Sequence, residues 1–292
     1  MTEKILLQLD VDPLASTFDA VVAIDAGVDR LLTRAGVHAA TAQGLVHGLM
    51  FTRGGPDLAH SAIFVGGGDV AAAERLFDAV KKSFFGPVRV SVMMDANGCN
   101  TTAAAAVVAA MRHGELSGAK AFVLGGTGPV GSRAARMLLG EGADVFLCSR
   151  QFSRAKETCK SIAEGLGGKS PSPVEITSPA DAAKELQPAD VLIACGAAGV
   201  PLLDKATLMA LPNLKVAIDL NAVPPAGLEG VDATDKARQV SDQLSVYGAL
   251  GVGGLKMRTH KAAITKLFQT NDQVLDAAEI LALAKALDSS PK

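Results

Sequence analysis

The chain has 292 residues, enough for one large domain or two domains of ordinary size. Apolar residues make up 49% of it and aromatic residues only 4%. The core must therefore consist mainly of aliphatic side chains, as in α/β folds with buried parallel strands. The net charge of −2, without a basic tail, argues against nucleic acid as the main partner, because phosphate binding needs a basic surface.

Cysteine usage and the apolar runs predict where the protein resides. The four cysteines are Cys99, Cys148, Cys159 and Cys195. None has C-x-x-C spacing, and a chain of this length does not need disulfide bonds. The apolar run before Asp10 is too short for a signal peptide, and the apolar stretch 103–111 is too short to span a bilayer. We expect a soluble, cytoplasmic protein with no membrane partner.

Short apolar runs alternate with helical patterns along the chain. The runs predicted as strands are 4–10, 20–25, 62–66, 88–94, 119–125, 144–149, 190–195 and 215–220. The segments predicted as helices include 70–84, 101–113, 129–141, 151–165, 203–211, 254–268 and 272–287. This alternation indicates βαβ units and a parallel sheet. The stretch "GGKSPSP", 167–173, is predicted as a surface loop.

A domain boundary is predicted at the polar stretch 112–120, which carries two glycines and precedes a clean new strand. The first domain would cover 1–114 and the second 115–253. The glycines between 248 and 254 give the chain freedom to cross over. We therefore expect the last helices, 254–292, to return and complete the first domain.

A glycine-rich turn, "IFVGGGD" at 63–69, follows a strand of the first domain. It lacks G-x-G-x-x-G spacing, and Asp69 is placed to cap the next helix. This pattern favours a tight turn over a nucleotide site. In the same domain, Phe18 taken alone fits a core residue better than a ring that stacks on a substrate.

A polar cluster joins a strand end to a helix start in the first domain. Its members are Asp95, Asn97, Asn100, Thr101 and Thr102. One interpretation is a set of helix-capping residues, and the other is the lining of a polar substrate pocket. The residues alone leave both open. The five histidines show no metal-ligand spacing, so no metal is expected.

The most informative stretch is "AFVLGGTGPVG", which ends an apolar strand and opens a helical pattern. Its glycines fit G-x-G-x-x-G, and a second strand begins at Asp144. The N-terminus of such a helix offers N–H groups and a positive dipole end to phosphates. The residues predicted to bind a dinucleotide here are Gly126, Thr127, Gly128, Pro129, Val130 and Gly131.

The end of the second strand usually selects the cofactor. Here it reads Ser149-Arg150, with Arg154 following and no carboxylate in the run. Two guanidiniums can pair with a 2′-phosphate, so NADP should be accepted, and NAD still fits beside a serine. The alternative is that the arginines only solvate a helix start. Gly196 would leave room for the cofactor, and Asn221 would bond the nicotinamide amide or serve ordinary turn chemistry.

The whole chain resembles the bacterial methylene-tetrahydromethanopterin dehydrogenases, which are NAD(P)-linked enzymes of one-carbon metabolism. The motifs that carry the resemblance are "TRGG", "AIFVGGGD", "FFGPVRVS", "NGCNTTAAA", "GTGPVG", "GVDATDK" and "GALGVGGLK". The resemblance implies two α/β domains with a deep cleft, the second a Rossmann-like doubly wound parallel sheet. It also implies a reduced pterin as the small-molecule substrate, formaldehyde oxidation in methylotrophy as the setting, and a homotrimer.

Active-site residues of that family fall on Phe18, Thr102, Lys256 and His260, which gives these positions functional roles. Lys256 and His260 are the catalytic candidates. Phe18 and Thr102, with Asp95 and Asn97 beside them, are the substrate-binding candidates. The segment 147–154 departs from the ending usual in relatives restricted to NADP, so we predict that both NAD and NADP are used.

The implied reaction removes hydride from the methylene bridge of the pterin and gives the methenyl cation. No proton leaves the reacting carbon, so positioning should dominate over general-base catalysis. Lys256 would bond a pterin carbonyl or be neutral, and it shares a helix face with His260 at i,i+4. The glycines at 248–254 would form a hinge-like crossover loop near the nicotinamide.

Other functions stay open from sequence alone. One is a different NADP oxidoreductase, of the shikimate or glutamyl-tRNA reductase kind. Another is a methylene-tetrahydrofolate dehydrogenase/cyclohydrolase, in which Lys256 would serve a hydrolytic step. The third is a non-catalytic NADPH-binding sensor, which would leave Lys256 and His260 unexplained.

Overall fold

The computed structural model describes residues 2–289, which alternate between strands and helices. The strands are β1 (Ile5–Asp10), β2 (Arg30–Arg34), β3 (Ser61–Gly66), β4 (Ser91–Met94), β5 (Lys120–Leu124), β6 (Asp144–Ser149), β7 (Ser172–Glu175), β8 (Val191–Ala194), β9 (Val216–Asp219), β10 (Lys236–Gln239), β11 (Ser245–Tyr247) and β12 (Val274–Leu275). The helices are α1 (Thr17–Asp25), α2 (Ala42–Met50), α3 (Val70–Lys82), α4 (Cys99–Met111), α5 (Pro129–Gly140), α6 (Phe152–Gly165), α7 (Pro179–Glu185), α8 (Lys205–Met209), α9 (Ala249–Lys266) and α10 (Ala277–Ser289).

The chain divides into two compact units. The second unit is Thr102–Lys256, and the first contains the residues before Thr102 and those from Met257 onward. The two divisions fall inside α4 and α9, whereas the sequence placed the first boundary at 112–120, in the loop after α4. Thr102 and Lys256 therefore stand at the two ends of the second unit.

The first unit is built on a five-stranded sheet in the order β12-β4-β3-β1-β2, with every neighbouring pair parallel. β3 and β4 are buried along their whole length, and β1 is buried from its second residue. Such continuous burial is typical of parallel strands covered on both faces. β2 lies at the edge and is mostly exposed.

The second unit has a seven-stranded sheet in the order β10-β11-β9-β8-β5-β6-β7. Only β10 runs antiparallel to its neighbour. From β7 to β11 the order is that of a doubly wound dinucleotide fold, and it reverses between β5 and β8. The predicted fold class of two α/β domains, the second Rossmann-like, is confirmed.

The prediction of a strand at 20–25 is wrong, because these residues belong to α1. Ser16 caps this helix by accepting a hydrogen bond from the backbone N–H of Asp19. The pattern Ser-x-x-Asp is a helix-start signal, and it separates a helix from a strand where a short apolar run cannot. Only Val22 and Ala23 of the helix are buried, so the apolar run does not form a buried strand.

Three other segments differ from their predicted structure. The stretch 167–173, predicted as a loop, includes the first two residues of β7. The stretch 272–287, predicted as a helix, begins with the short strand β12 before α10 starts. The glycine-rich stretch 248–254, predicted as a crossover loop, lies almost wholly inside α9.

Candidate functional site

Close packing in the turn between β5 and α5 explains two of the three motif glycines. A Cβ on Gly126 would lie 2.7 Å from Leu147 Cγ and 2.9 Å from the Val123 carbonyl oxygen. A Cβ on Gly131 would lie 2.7 Å from the Cα of Gly126. Gly126 makes the tight turn, and Gly131 lets the first turn of α5 lie against it. The protein itself requires both glycines.

Gly128 has a different environment. A Cβ placed on it would be 3.7 Å from the Gly125 carbonyl oxygen and 4.0 Å from that of Cys195, which are ordinary contacts. Its φ of −80° also suits any residue. Packing therefore does not require glycine at 128, the position where dinucleotide-binding folds use glycine to let a pyrophosphate approach the backbone. The first turn of α5 leaves its N–H groups without helical partners, so the turn fits a dinucleotide.

The loop after β8 adjoins this turn. Gly125 has φ of +65°, and a Cβ on it would lie 2.8 Å from the Cα of Gly196. The two loops thus touch where the strand order reverses, which is where doubly wound folds bind ligands. Burial, and then the charge of Asp219, raises the pKa of the neighbouring Cys195 thiol to about 12. The thiol therefore stays protonated and does not act as a nucleophile.

Asn221, the predicted nicotinamide ligand, lies in the loop after β9 and is buried. Its side-chain Nδ2 donates to the Pro225 carbonyl at 3.1 Å, and its Oδ1 accepts from the backbone N–H of Val223 at 3.0 Å. Asp219 accepts the Asn221 backbone N–H, and burial raises the pKa of that carboxyl. The Asn221 amide thus bonds the backbone of its own loop. This is the ordinary turn role that the sequence offered as the alternative to binding nicotinamide.

A carboxylate that sequence reasoning missed lies on β7, beside the end of β6. Arg150 and Arg154 are exposed there, and Ser149 is half-buried. The register of β6 and β7 places Glu175 opposite Ser149. Glu175 Oε1 accepts a hydrogen bond of 2.9 Å from the backbone N–H of Phe152, the first residue of α6. The end of β6 has no acidic residue of its own, but Glu175 of the neighbouring strand β7 places a carboxylate beside it.

The glycine-rich turn after β3 contrasts with the one after β5. Asp12 Oδ2 accepts a hydrogen bond of 2.7 Å from the backbone N–H of Gly68. A Cβ on Gly67 would overlap the Val11 side chain, so the β1 loop packs directly on this turn. Asp69 caps α3 through the Ala72 N–H at 3.0 Å. The predicted tight turn is confirmed. The carboxylates of Asp12 and Asp69 occupy the N–H groups that a phosphate would need.

The glycine-rich start of α9 packs against the segment 232–235 of the same unit. Cβ atoms on Gly248 and Gly251 would overlap the carbonyl oxygens of Asp232 and Asp235, respectively. The Ala233 carbonyl accepts from the N–H groups of Leu250 and Gly251, at 2.8 and 3.2 Å. The predicted hinge-like loop is therefore wrong. These glycines allow close packing, and carbonyl oxygens already cap the helix start.

The polar cluster at 95–102 is mainly a helix cap. Asp95 is fully buried, and its carboxylate accepts from the N–H groups of Asn100 and Thr101 and from the Thr101 hydroxyl, at 2.9, 3.0 and 2.6 Å. This supports the capping interpretation for these three residues. Asn97 is exposed with a φ of +51°, and Thr102 is half-buried on α4, so both present accessible surface.

His260 on α9 is fully buried within the first unit. Its ring stacks on Phe64 with centroids 5.6 Å apart, and Phe18 lies 6.4 Å away. Its Nδ1 is 3.9 Å from Asp95 Oδ2 and its Nε2 is 4.0 Å from Asp19 Oδ1. The structure thus brings together the predicted Phe18, Asp95 and His260. Sequence reasoning missed Asp19, which the helix-start signal Ser-x-x-Asp would have placed on α1.

Lys256 is half-buried on α9, one helical turn before His260, as the i,i+4 spacing predicts. Phe18 is 51% exposed, so its ring is not a core residue. No group of three or more metal-ligating side chains occurs in residues 2–289. None of the helices in this range has both the length and the apolar character needed to span a bilayer.

The parallel sheet order of the second unit and the open glycine turn at its centre define a doubly wound, dinucleotide-binding class of fold. The family described as shikimate/quinate 5-dehydrogenase matches residues 107–241 of the chain. A crystal structure of shikimate 5-dehydrogenase from Listeria monocytogenes, in complex with shikimate and NAD, shares the fold with a TM-score of 0.52. It is 12% identical and covers 98% of this chain and 96% of its own.

Matches to the first unit and to the whole chain identify the family. Residues 17–97 match the family described as methylene-tetrahydromethanopterin dehydrogenase, N-terminal. Two proteins of Methylorubrum extorquens match nearly the whole chain. The "Bifunctional protein MdtA" is 43% identical over 98% of this chain and all of its own, and the "NAD(P)-dependent methylenetetrahydromethanopterin dehydrogenase" is 31% identical over 97% and 98%. The chain belongs to the methylene-tetrahydromethanopterin dehydrogenase family, as the resemblance predicted.

Proposed function

We propose that this protein oxidises the methylene bridge of methylene-tetrahydromethanopterin to the methenyl form, with NAD or NADP as hydride acceptor. The observation that carries the proposal is the turn at Gly128, whose glycine the protein's own packing does not require. It occurs in a chain that aligns over 97% of its length with an NAD(P)-dependent methylenetetrahydromethanopterin dehydrogenase. A dinucleotide turn and a pterin-family first unit together favour this reaction over a nucleotide sensor.

The cofactor site in this proposal is formed by the β5–α5 turn. The N–H groups at the start of α5 bind the pyrophosphate, and Gly196 leaves space beside it. Ser149, Arg150 and Arg154 are at the adenosine end, where exposed guanidiniums can pair with a 2′-phosphate. The bound nicotinamide supplies hydride acceptance. The chain supplies orientation, since no proton leaves the reacting carbon and no general base is needed.

The substrate site in this proposal uses exposed or half-exposed side chains. Phe18 stacks on the pterin with its exposed ring, and Asn97 and Thr102 offer hydrogen bonds. Asp95 is fully buried and occupied with capping α4, so we assign it to positioning this helix start. Its hydrogen bonds to Asn100 and Thr101 hold the first turn of the helix on which Thr102 follows.

Lys256 and His260 have distinct roles in this proposal. An ammonium beside the forming cation would oppose the reaction, so Lys256 donates to a pterin carbonyl away from the reacting carbon. His260, held between Phe64 and two carboxylates at 3.9 and 4.0 Å, orients the part of α9 that carries it. Substrate contact is therefore assigned to Lys256, and positioning to His260.

The proposal includes a homotrimer and a cytoplasmic location. α1 and the loop before it expose an apolar surface formed by Leu14, Val21 and Ile24, which are 83%, 54% and 55% exposed. Apolar surface of this kind supports association between copies of the chain. Three buried cysteines are free thiols, which supports a reducing compartment. Light scattering during size-exclusion chromatography tests the trimer, and a monomeric mass would contradict it.

The activity is tested by mixing the protein with methylene-tetrahydromethanopterin and either NAD or NADP. We expect reduced nicotinamide to form with both cofactors. Formation with neither would contradict the proposal, and nucleotide binding without turnover would favour the sensor. Release of formyl-pterin from methenyl-pterin without nicotinamide would reveal cyclohydrolase activity.

Substitution of Lys256 tests its assigned role. Lys256→Ala should lower kcat/KM about a hundredfold, the loss typical of a mispositioned substrate, without changing NADPH affinity. Lys266→Ala, on the same helix, is the matched control and should keep full activity. A fully active Lys256→Ala variant would remove this residue from the site.

A further inference from the structure

The sequence at the end of β6 suggests a site built only from cations for the 2′-phosphate of NADP. The folded chain adds one anion. Glu175 ends β7, pairs in register with Ser149, and is exposed. Its Oε1 accepts from the Phe152 N–H at 2.9 Å, at the N-terminus of the 14-residue helix α6. The carboxylate therefore lies at the adenosine end of the proposed cofactor site.

This position affects the two cofactors differently. A helix N-terminus attracts phosphate through its N–H groups and dipole. At α6 the first of these donors is already bonded to Glu175, so a 2′-phosphate would have to displace the carboxylate or lie beside it. In residues 2–289 no ion pair joins Glu175 to Arg150 or Arg154, so neither arginine is tied to this carboxylate. A plain ribose hydroxyl experiences no such repulsion.

We propose that Glu175 sets the balance between the two cofactors by weakening the binding of NADP relative to NAD. The inference rests on the proposed cofactor site and adds a specificity-determining residue to it. Arg150 and Arg154 attract the 2′-phosphate, and Glu175 opposes them. The protein accepts both cofactors because these charges are set against each other at one strand end. This gives a physical basis for the dual use expected from the departure at 147–154.

The test compares Glu175→Gln with the intact protein by calorimetric titration of NADPH and NADH. Glutamine keeps an acceptor for the Phe152 N–H and removes only the charge. We expect the NADPH affinity to rise about fivefold, the factor corresponding to about 1 kcal/mol for one exposed charge pair in water. The NADH affinity should stay within about twofold, and the NADPH gain should shrink at high salt.

The control is Glu164→Gln, the same change at an exposed position near the other end of α6. It should leave both affinities unchanged. An unchanged ratio of NADPH to NADH affinity in Glu175→Gln would overturn the inference, as would an equal change for both cofactors, which indicates a purely structural role. If the intact protein binds neither nucleotide, the proposed function fails first and the inference fails with it.

Discussion

The starts of α5 and α9 contain nearly the same density of glycine, yet they differ in what surrounds their backbones. At α5, a Cβ on Gly128 would meet nothing closer than 3.7 Å. At α9, the Ala233 carbonyl accepts two N–H groups of the first turn, and carbonyl oxygens fill the space beside Gly248 and Gly251. A glycine-rich helix start can therefore bind phosphate only where the protein's own carbonyl groups have not already bonded its N–H donors.

The largest effect expected from this comparison is on stability at α9. Gly251→Ala would place a methyl group against the Asp235 carbonyl oxygen, which is backbone and cannot simply rotate away. We expect a loss of about 3 kcal/mol in the free energy of unfolding, at the upper end of overpacking costs. Urea denaturation measures it. A loss below about 1 kcal/mol would show that the 232–235 segment yields easily, and would weaken the contrast with α5.

The second effect is on binding at α5 and should leave stability unchanged. Gly128→Ala fits the protein sterically, but its methyl group occupies the space that we assign to the pyrophosphate. We expect NADPH and NADH affinities to fall at least about tenfold, or roughly 1.4 kcal/mol. The melting temperature without nucleotide should stay within about 2 °C of the parent's, since no packing is lost.

A matched control for Gly128 lies at the other end of the same helix. Gly140 ends α5, and a Cβ on it would meet nothing within 4 Å. Gly140→Ala should leave nucleotide affinity unchanged. If Gly128→Ala and Gly140→Ala have the same affinity, the open space above Gly128 is not a phosphate site, and the two helix starts do not differ in function.

The glycines of α5 and α9 differ in how much of their role is visible in the sequence. G-x-G-x-x-G spacing predicted the β5–α5 turn correctly, because the apolar strand before the glycines and the helical pattern after them are both visible in the sequence. The prediction of a loop at 248–254 failed, because these glycines pack against the backbone of residues 232–235 and no spacing motif signals that contact. Composition reveals that glycine is needed but not which distant backbone lies against it. Glu175 was missed for the same reason, since only the β6–β7 pairing brings it beside Ser149.

At 20–25 the error had a local cause. The run Ala20–Asp25 is as apolar as a buried strand, but the Ser16 cap two positions before Phe18 fixes a helix. A capping signal should therefore outweigh a short apolar run when the two conflict. Asp19, whose carboxylate lies 4.0 Å from His260, would then have been recognised on the same helix as Phe18.

A third, smaller effect should appear with pH in the segment that packs on α9. Arg238 donates to both carboxylate oxygens of Asp235, at 2.6 and 2.7 Å, and this hydrogen bonding lowers the pKa of Asp235. Because the folded pKa is below the unfolded one, the stabilisation is complete above about pH 4 and is lost as pH falls through the folded pKa. Asp235→Asn should cost roughly 0.5–1 kcal/mol at neutral pH, since Arg238 is half exposed.

Stability curves of the two proteins from pH 7 to pH 2 provide the measurement. The difference between parent and Asp235→Asn should shrink below about pH 4 as the parent's carboxylate is protonated. A difference that persists at the lowest pH would mean that asparagine disturbs the loop geometry rather than the ion pair. In that case, the packing of 232–235 on α9 would not depend on the charge.

The smallest effect has the opposite sign and lies within the same helix. Gly253 is inside α9, but a Cβ on it would meet nothing within 4 Å, unlike one on Gly251 two residues earlier. Replacing an unconstrained helical glycine by alanine reduces the entropy lost on folding, so Gly253→Ala should stabilise the protein by about 0.5 kcal/mol. Opposite signs at 251 and 253 would show that neighbouring glycines of one helix serve different purposes, because only one faces the backbone of 232–235. If Gly253→Ala also destabilised the fold, helix α9 as a whole, rather than its contact with that segment, would be what requires glycine.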